Sequence, residues 1–145
     1  MPNSEDFEGA KIALFLGVRL LVITRDLRAD IPWPGHLDFP GGGREDGETP
    51  ERCVLRETQE EVGLVLSEDA LIWRRRYQRS NGRFWFFAAH LPEARQNDIV
   101  FGDEGQGWEL IDPHDYCTRK LAIPYFCNQI SDYLAHAGIL PRQSR

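Results

Sequence analysis

Apolar residues arrive in short blocks separated by turn formers. Residues 11–16 and 20–25 are rich in Ile, Leu, Val and Phe with Gly17 between them, which predicts two strands joined by a tight turn. Residues 26–35 carry Pro32, Trp33, Pro34 and Gly35 and read as a loop, and residues 37–39 are a short extended piece before Pro40. After the run Gly41-Gly42-Gly43 the period lengthens: Val54, Leu55, Thr58 and Val62 mark the buried stripe of a helix over Pro50–Val62. Thr49 offers its N-cap oxygen, Pro50 suits its first position and Gly63 ends it. Residues 71–77 and 83–91 are further strands around Ser80-Asn81-Gly82, residues 92–107 a polar loop and residues 108–111 a last strand. Pro124–Ala137 is a second helix, with Phe126, Ile130, Tyr133 and Leu134 on one face and Gly138 as its stop. The order of strands, helix, strands, helix predicts a sheet covered by helices in one α/β domain spanning residues 1–145.

Composition narrows the class without changing this outline. A chain of 145 residues, 41% of them hydrophobic, fits one globular core. No apolar run approaches the ~18 residues of a bilayer span, and residues 1–8 are acidic and polar, so neither a signal peptide nor a membrane anchor is expected. Lys and Arg number 17 against 23 for Asp and Glu, a net charge of -6, which argues against duplex nucleic acid as a partner and leaves an anionic ligand in need of a local device. Cys53, Cys117 and Cys127 are widely spaced with no CxxC pair, so neither a disulfide framework nor a zinc site is indicated and the cytoplasm is the expected compartment. Residues 142–145 are expected to be disordered.

The chemistry concentrates between Gly41 and Leu64, where seven acidic residues fall. Glu57, Glu60 and Glu61 lie within a sector of roughly 100° on the helix. The bland alternative is a solvated helix face, but like charges so clustered call for a cation, and carboxylate oxygens select hard ions such as Mg²⁺ or Mn²⁺. Arg56, four residues before Glu60, can brace one carboxylate, and the glycine run lets backbone approach the same ions. Magnesium held by a few carboxylates also binds substrate phosphates, which suits attack of water on a phosphoanhydride and lets an acidic protein hold a polyphosphate.

The stretch Gly42-x5-Glu48-x7-Arg56-Glu57-Thr58-Gln59-Glu60-Glu61-Val62-Gly63-Leu64 resembles the Nudix box, G-x5-E-x7-R-E-U-x-E-E-x-G-U. Every fixed position of residues 42–64 matches, and Thr58 stands where a bulky aliphatic residue is usual. The resemblance implies an α/β/α sandwich with a mixed sheet and a metal-dependent pyrophosphohydrolase that cleaves nucleoside diphosphate derivatives. Carried over by position, it implies that Glu57, Glu60 and Glu61 are metal ligands, the Gly41 carbonyl a further ligand, Glu48 a supporting acid and Arg56 the brace. The general base is either a box glutamate or, as in MutT-like members, an acid from a late loop, for which Glu104 is the match. Members are often dimers, so a homodimer is an expectation.

Substrate choice lies outside the box. The chain has no proline between Leu64 and Pro92, unlike ADP-ribose hydrolases. Tyr77 falls early for a dinucleoside polyphosphate hydrolase, and the coenzyme A signature is only partly echoed. Size and the Glu104 loop look most like the MutT group, which takes nucleoside triphosphates to monophosphate and pyrophosphate. Ala122 and Ile123 stand where that group reads oxidised purines with an asparagine. Hydrolysis of another nucleoside diphosphate derivative and a non-catalytic nucleotide sensor are the alternatives. Arg74 and Arg76, on one strand face near Arg79 and Arg83, are candidate phosphate contacts, although charge on a solvated edge strand is the commoner reason for such residues. Trp33 is the candidate stacking ring.

Overall fold

The computed structural model describes residues 6–139, so the expectation for residues 142–145 lies outside the described residues. β1 (Gly9–Leu16) and β2 (Arg19–Thr24) form the predicted hairpin but pair only at Phe15 with Leu20 and Leu16 with Arg19. The chain then returns between them. β3 (Leu37–Asp38) pairs with the far end of β2, and β4 (Gly41–Gly43) pairs antiparallel with Gly9, Ala10 and Lys11 at the start of β1. Thus the glycine run is a strand, which the hydrophobic pattern had no means of marking because it carries no side chains.

β5 (Trp73–Arg79) and β6 (Gly82–Leu91) make the second hairpin, and β6 runs parallel to β1 from Phe84 beside Gly9 to Leu91 beside Leu16. β7 (Gly107–Ile111) closes on the other side of β2. The order β3-β2-β1-β6-β5, with β4 on β1 and β7 on β2, contains one parallel pair among antiparallel ones, a mixed sheet as expected. The central strands are buried on both faces. Ile12, Leu14, Leu21 and Phe87 pack against Cys53, Val54 and Val62 of α1 (Pro50–Val62), while Phe15, Val22, Phe86 and Ala88 pack against Phe126, Ile130 and Tyr133 of α2 (Pro124–Ala137). Both helices keep their predicted bounds, and the layers form an α/β/α sandwich. Among the described residues no helix is long and apolar enough to cross a membrane.

Local chemistry explains α1. The Thr49 hydroxyl accepts from the Arg52 N–H at 3.2 Å, and Gly63 at φ 72 returns its own N–H to the Gln59 carbonyl. Its buried stripe is Cys53, Val54, Thr58 and Val62, with Leu55 only half-buried because it lies ~100° round the helix from Val54. The predicted loop at 92–107 contains a 3₁₀ turn, Glu93–Asp98. It then straps itself to the end of α1: the Val100 N–H donates to the Val62 carbonyl and the Gly102 N–H to the Glu61 carbonyl, both at 2.9 Å. These carbonyls have no partner within the helix, so the loop satisfies them. At Gly102 a Cβ would sit 2.5 Å from the Glu60 carbonyl oxygen, so only glycine allows this approach.

Thr58 is fully buried and its hydroxyl donates to the Val54 carbonyl at 2.7 Å, an oxygen the helix ladder already uses. Thr58→Val should therefore change the unfolding free energy in urea by less than about 1 kcal/mol. Phe126→Ala, which empties a ring-filled site beside Phe39 and Phe86, should cost about 3–5 kcal/mol in the same titration.

Candidate active site

The last two turns of α1 lie against β4. Glu61 accepts a hydrogen bond from the Gly41 N–H at 2.8 Å. Glu57 packs on Gly42, where a Cβ would meet its Oε1 at 2.5 Å, so the glycine strand is what lets the carboxylate reach the sheet. Glu60 is more exposed and, with Glu61, Asp103 and Glu104, lines a cavity of about 170 Å³. The strap across the end of α1 thus delivers Glu104 beside two box glutamates. Asp103 arrives with it; its only signal in the sequence is adjacency to Glu104.

Arg56 gathers the box. Its Nε and one Nη grip both oxygens of Glu48 at 2.5 and 3.0 Å, the other Nη donates to Glu57 at 3.0 Å and Glu60 at 3.1 Å, and the Gly43 carbonyl accepts at 2.9 Å. The paired guanidinium holds the Glu48 carboxyl below its ordinary range, and the carboxylates raise the arginine further. Glu48 also accepts the Glu45 N–H at 2.8 Å, so both of its oxygens are committed to holding this turn.

Burial acts in the opposite direction on the inner acids. Desolvation, opposed by Lys11, pushes the Glu61 carboxyl up to about 7, and desolvation outweighs Arg56 to raise Glu57. Lys11 is the cation on the sheet side: its Nζ donates to Asp38 at 3.0 Å, to the Gly41 carbonyl at 2.9 Å and to the Phe39 carbonyl at 3.2 Å. The Gly41 oxygen therefore keeps one lone pair beyond that bond. Lys11, and the buried Asp38 that it shares with Arg25, were missed by motif reasoning, though a lone lysine inside an apolar strand was a visible signal. Among the described residues no three acidic, His or Cys side chains are gathered as a finished metal cage, since Arg56 draws on Glu57 and Glu60. The donors are nonetheless hard oxygens, partly desolvated and mutually repelling, the set that a divalent cation fits.

A larger cleft of about 710 Å³ begins at Gly42 and Gly43 and is lined by Trp33, Phe84, Tyr125 and Arg79. Trp33, the candidate stacking ring of the loop, is among its lining residues. Arg74 and Arg76 lie on the edge strand β5 and line neither cavity; Arg74 pairs with Glu51 in the first turn of α1. The arginine of the cleft is Arg79, which points to the other face of β5.

One helix of the sandwich sets Glu57 and Glu61 against a glycine strand, with Glu60, Asp103 and Glu104 around a small cavity beside them, so that hard oxygen donors are gathered at one end of the helix. The NUDIX domain matches residues 9–127, and the chain belongs to that family as a Nudix hydrolase. The 8-oxo-dGTP diphosphatase of Escherichia coli (strain K12) is 37% identical over 91 residues, 61% of this chain and 67% of that one. The 8-oxo-dGTP diphosphatase of Haemophilus influenzae is 35% identical over 78 residues, 54% of this chain and 56% of that one. The match thus spans between about half and two thirds of these relatives. The crystal structure of MutT protein from Methanosarcina mazei Go1 superposes with a TM-score of 0.69 over 89% of this chain and 93% of that one at 13% identity, a likeness of fold.

Glu61 yields a pH prediction. Its folded value, about 7, lies above the ordinary 4.5, so the folded state binds this proton more tightly and the stabilisation is full below about 4.5 and lost as pH rises to 7. Glu48, whose carboxyl is lowered, acts in the opposite sense at the acid end. With chelator present, urea melts should therefore show stability falling from pH 5 to pH 8, and Glu61→Gln should flatten that slope.

Proposed function

We propose that the chain hydrolyses a nucleoside triphosphate to the monophosphate and pyrophosphate. What carries this reading is the gathering of Glu60, Glu61 and Glu104 around one small cavity, with Glu57 and Glu61 packed on the glycine strand that also borders the aromatic cleft. The 8-oxo-dGTP diphosphatase relatives support the triphosphate. All the box acids are present, which favours turnover over a sensor that only binds.

Glu57, Glu60 and Glu61, with the free lone pair of the Gly41 carbonyl, would hold divalent cations, Mg²⁺ first by the hardness of the donors. When bound, such ions neutralise the polyphosphate and acidify water. Glu104, across the small cavity from Glu60 and Glu61, takes the proton of the attacking water. The water oxygen bonds to phosphorus, the bridging P–O bond breaks, and pyrophosphate leaves with its electron pair. Arg56 positions Glu57 and Glu60, with Glu48 fixing the guanidinium. Trp33 and the cleft aromatics take the base.

A panel of canonical and oxidised dNTPs, ADP-ribose, dinucleoside polyphosphates, nucleotide sugars and coenzyme A, with Mg²⁺ and products identified by mass, tests this. The expected result is pyrophosphate release from a triphosphate, abolished by chelator. Glu60→Gln and Glu61→Gln should each lower kcat by about 10²-fold or more, and Glu104→Gln by about 10²-fold. Full turnover in both box variants would overturn the ligand assignment, and cleavage of diphosphate derivatives alone would overturn the triphosphate.

A further inference from the structure

The strap that carries the late acids is anchored on both sides of a two-residue span. On one side the Gly102 N–H donates to the Glu61 carbonyl at 2.9 Å, at the end of α1. On the other, Gly105 and Gln106 close on the end of β2. The Gln106 N–H donates to the Thr24 carbonyl and its side-chain amide to the Arg25 carbonyl, both at 2.8 Å, and the Gly105 N–H donates to Asp26 Oδ2 at 3.2 Å. Gly105 stands at φ 91, and a Cβ there would meet Ile23 Cγ2 at 3.0 Å, so the turn that makes these bonds requires glycine. Between the anchors remain Asp103 and Glu104, both exposed and both lining the small cavity with Glu60 and Glu61.

Like charges across a small cavity push this span outward, so it stays in place only as well as its anchors hold. The α1 anchor is backbone on backbone. Of the three bonds at the β2 end, the one to Asp26 alone has a side-chain acceptor, and a carboxylate makes the stronger kind of bond with an N–H. Asp26 also reaches the other way. Its carbonyl accepts the Gly35 N–H at 3.0 Å and so closes the loop over 26–35, whose Trp33 lines the aromatic cleft. One residue thus joins the loop of the cleft to the strap of the acids.

We propose that Asp26 is a positioning residue of the hydrolytic reaction: its side chain fixes the Gly105 end of the strap and thereby holds Glu104 at the cavity it shares with Glu60 and Glu61. The consequence for turnover rests on the proton-acceptor role given to Glu104 above; the anchoring does not. A residue that merely closed the surface loop would act through its carbonyl, which every substitution keeps, so the side chain is where the two roles part.

Hydrogen exchange and kinetics on the full chain separate them. In the metal-free protein, Asp26→Ala should speed amide exchange across residues 100–106 by at least about tenfold and leave residues 50–60 unchanged. With Mg²⁺ and dGTP, or whichever member of the substrate panel turns over faster, Asp26→Ala should lower kcat about tenfold and move KM by less than about twofold. Asp26→Asn, which keeps an oxygen for the Gly105 N–H, should recover most of that loss. Adding Asp26→Ala to Glu104→Gln should cost less than about a further twofold, because positioning acts through the residue positioned. A full additional loss in the double variant, a change in KM alone, or unchanged exchange across 100–106 would each overturn the proposal. Full turnover in Glu104→Gln, with Asp26→Ala still impaired and its strap still loosened, would instead defeat Glu104 as the proton acceptor and uphold the anchor.

Discussion

Setting several carboxylates at one end of a helix against a backbone strand creates repulsion that the fold must offset before any ligand arrives. Two unit charges ~4 Å apart at the edge of a protein interact by about 4 kcal/mol, so clustered acids would splay outward if left alone. Arg56 prevents this from inside the cluster. One guanidinium ties Glu48, Glu57, Glu60 and the Gly43 carbonyl together, joining the turn before α1, the body of α1 and β4. Its planar fork makes this possible where a lysine would supply a point charge. Lys11 does the matching work from the sheet side, fixing Asp38 and the Gly41 carbonyl.

The glycine strand makes these contacts geometrically available. β4 has no side chains to keep α1 away, so Glu57 lies directly on Gly42 and Glu61 receives the Gly41 N–H. The same closeness desolvates both acids and raises them. A site built this way favours a bound cation over bare carboxylates, because positive charge relieves both the burial and the repulsion. The loop that follows β6 uses the free carbonyls at the end of α1 as its anchor. Completing the helix and bringing in Glu104 are therefore one structural event.

The acids and the aromatic cleft occupy different sides of β4. The glutamates crowd its α1 side, whereas the aromatic cleft opens toward α2 and is framed by the loop carrying Trp33 and the hairpin carrying Arg79. Glu57, Glu60 and Glu61 belong to a contiguous helix; the cleft is assembled from six separate parts of the chain. Such a division lets the walls of the cleft vary without disturbing the helix that carries the acids.

The sequence by itself determined α1, its caps and the acids on it, because spacing along a regular helix fixes which side chains share a face and Thr49, Pro50 and Gly63 act within a turn of their own positions. It determined a sheet covered by helices through runs of apolar residues and the turns between them, and the α/β/α sandwich through the resemblance carried by residues 42–64. It left β4 unmarked, since three glycines carry no pattern, and it marked Arg74 and Arg76 with Arg79 nearby without saying which of them faces the cleft. Tertiary structure decided that strand alternation and the docking of α2 turn Arg79 into the cleft and give Arg74 to Glu51. It also decided that Lys11 meets Asp38, 27 residues away, and that the strap places Glu104 beside Glu60 and Glu61. These are contacts between distant segments, and their partners are chosen by how the layers pack, which no local spacing encodes.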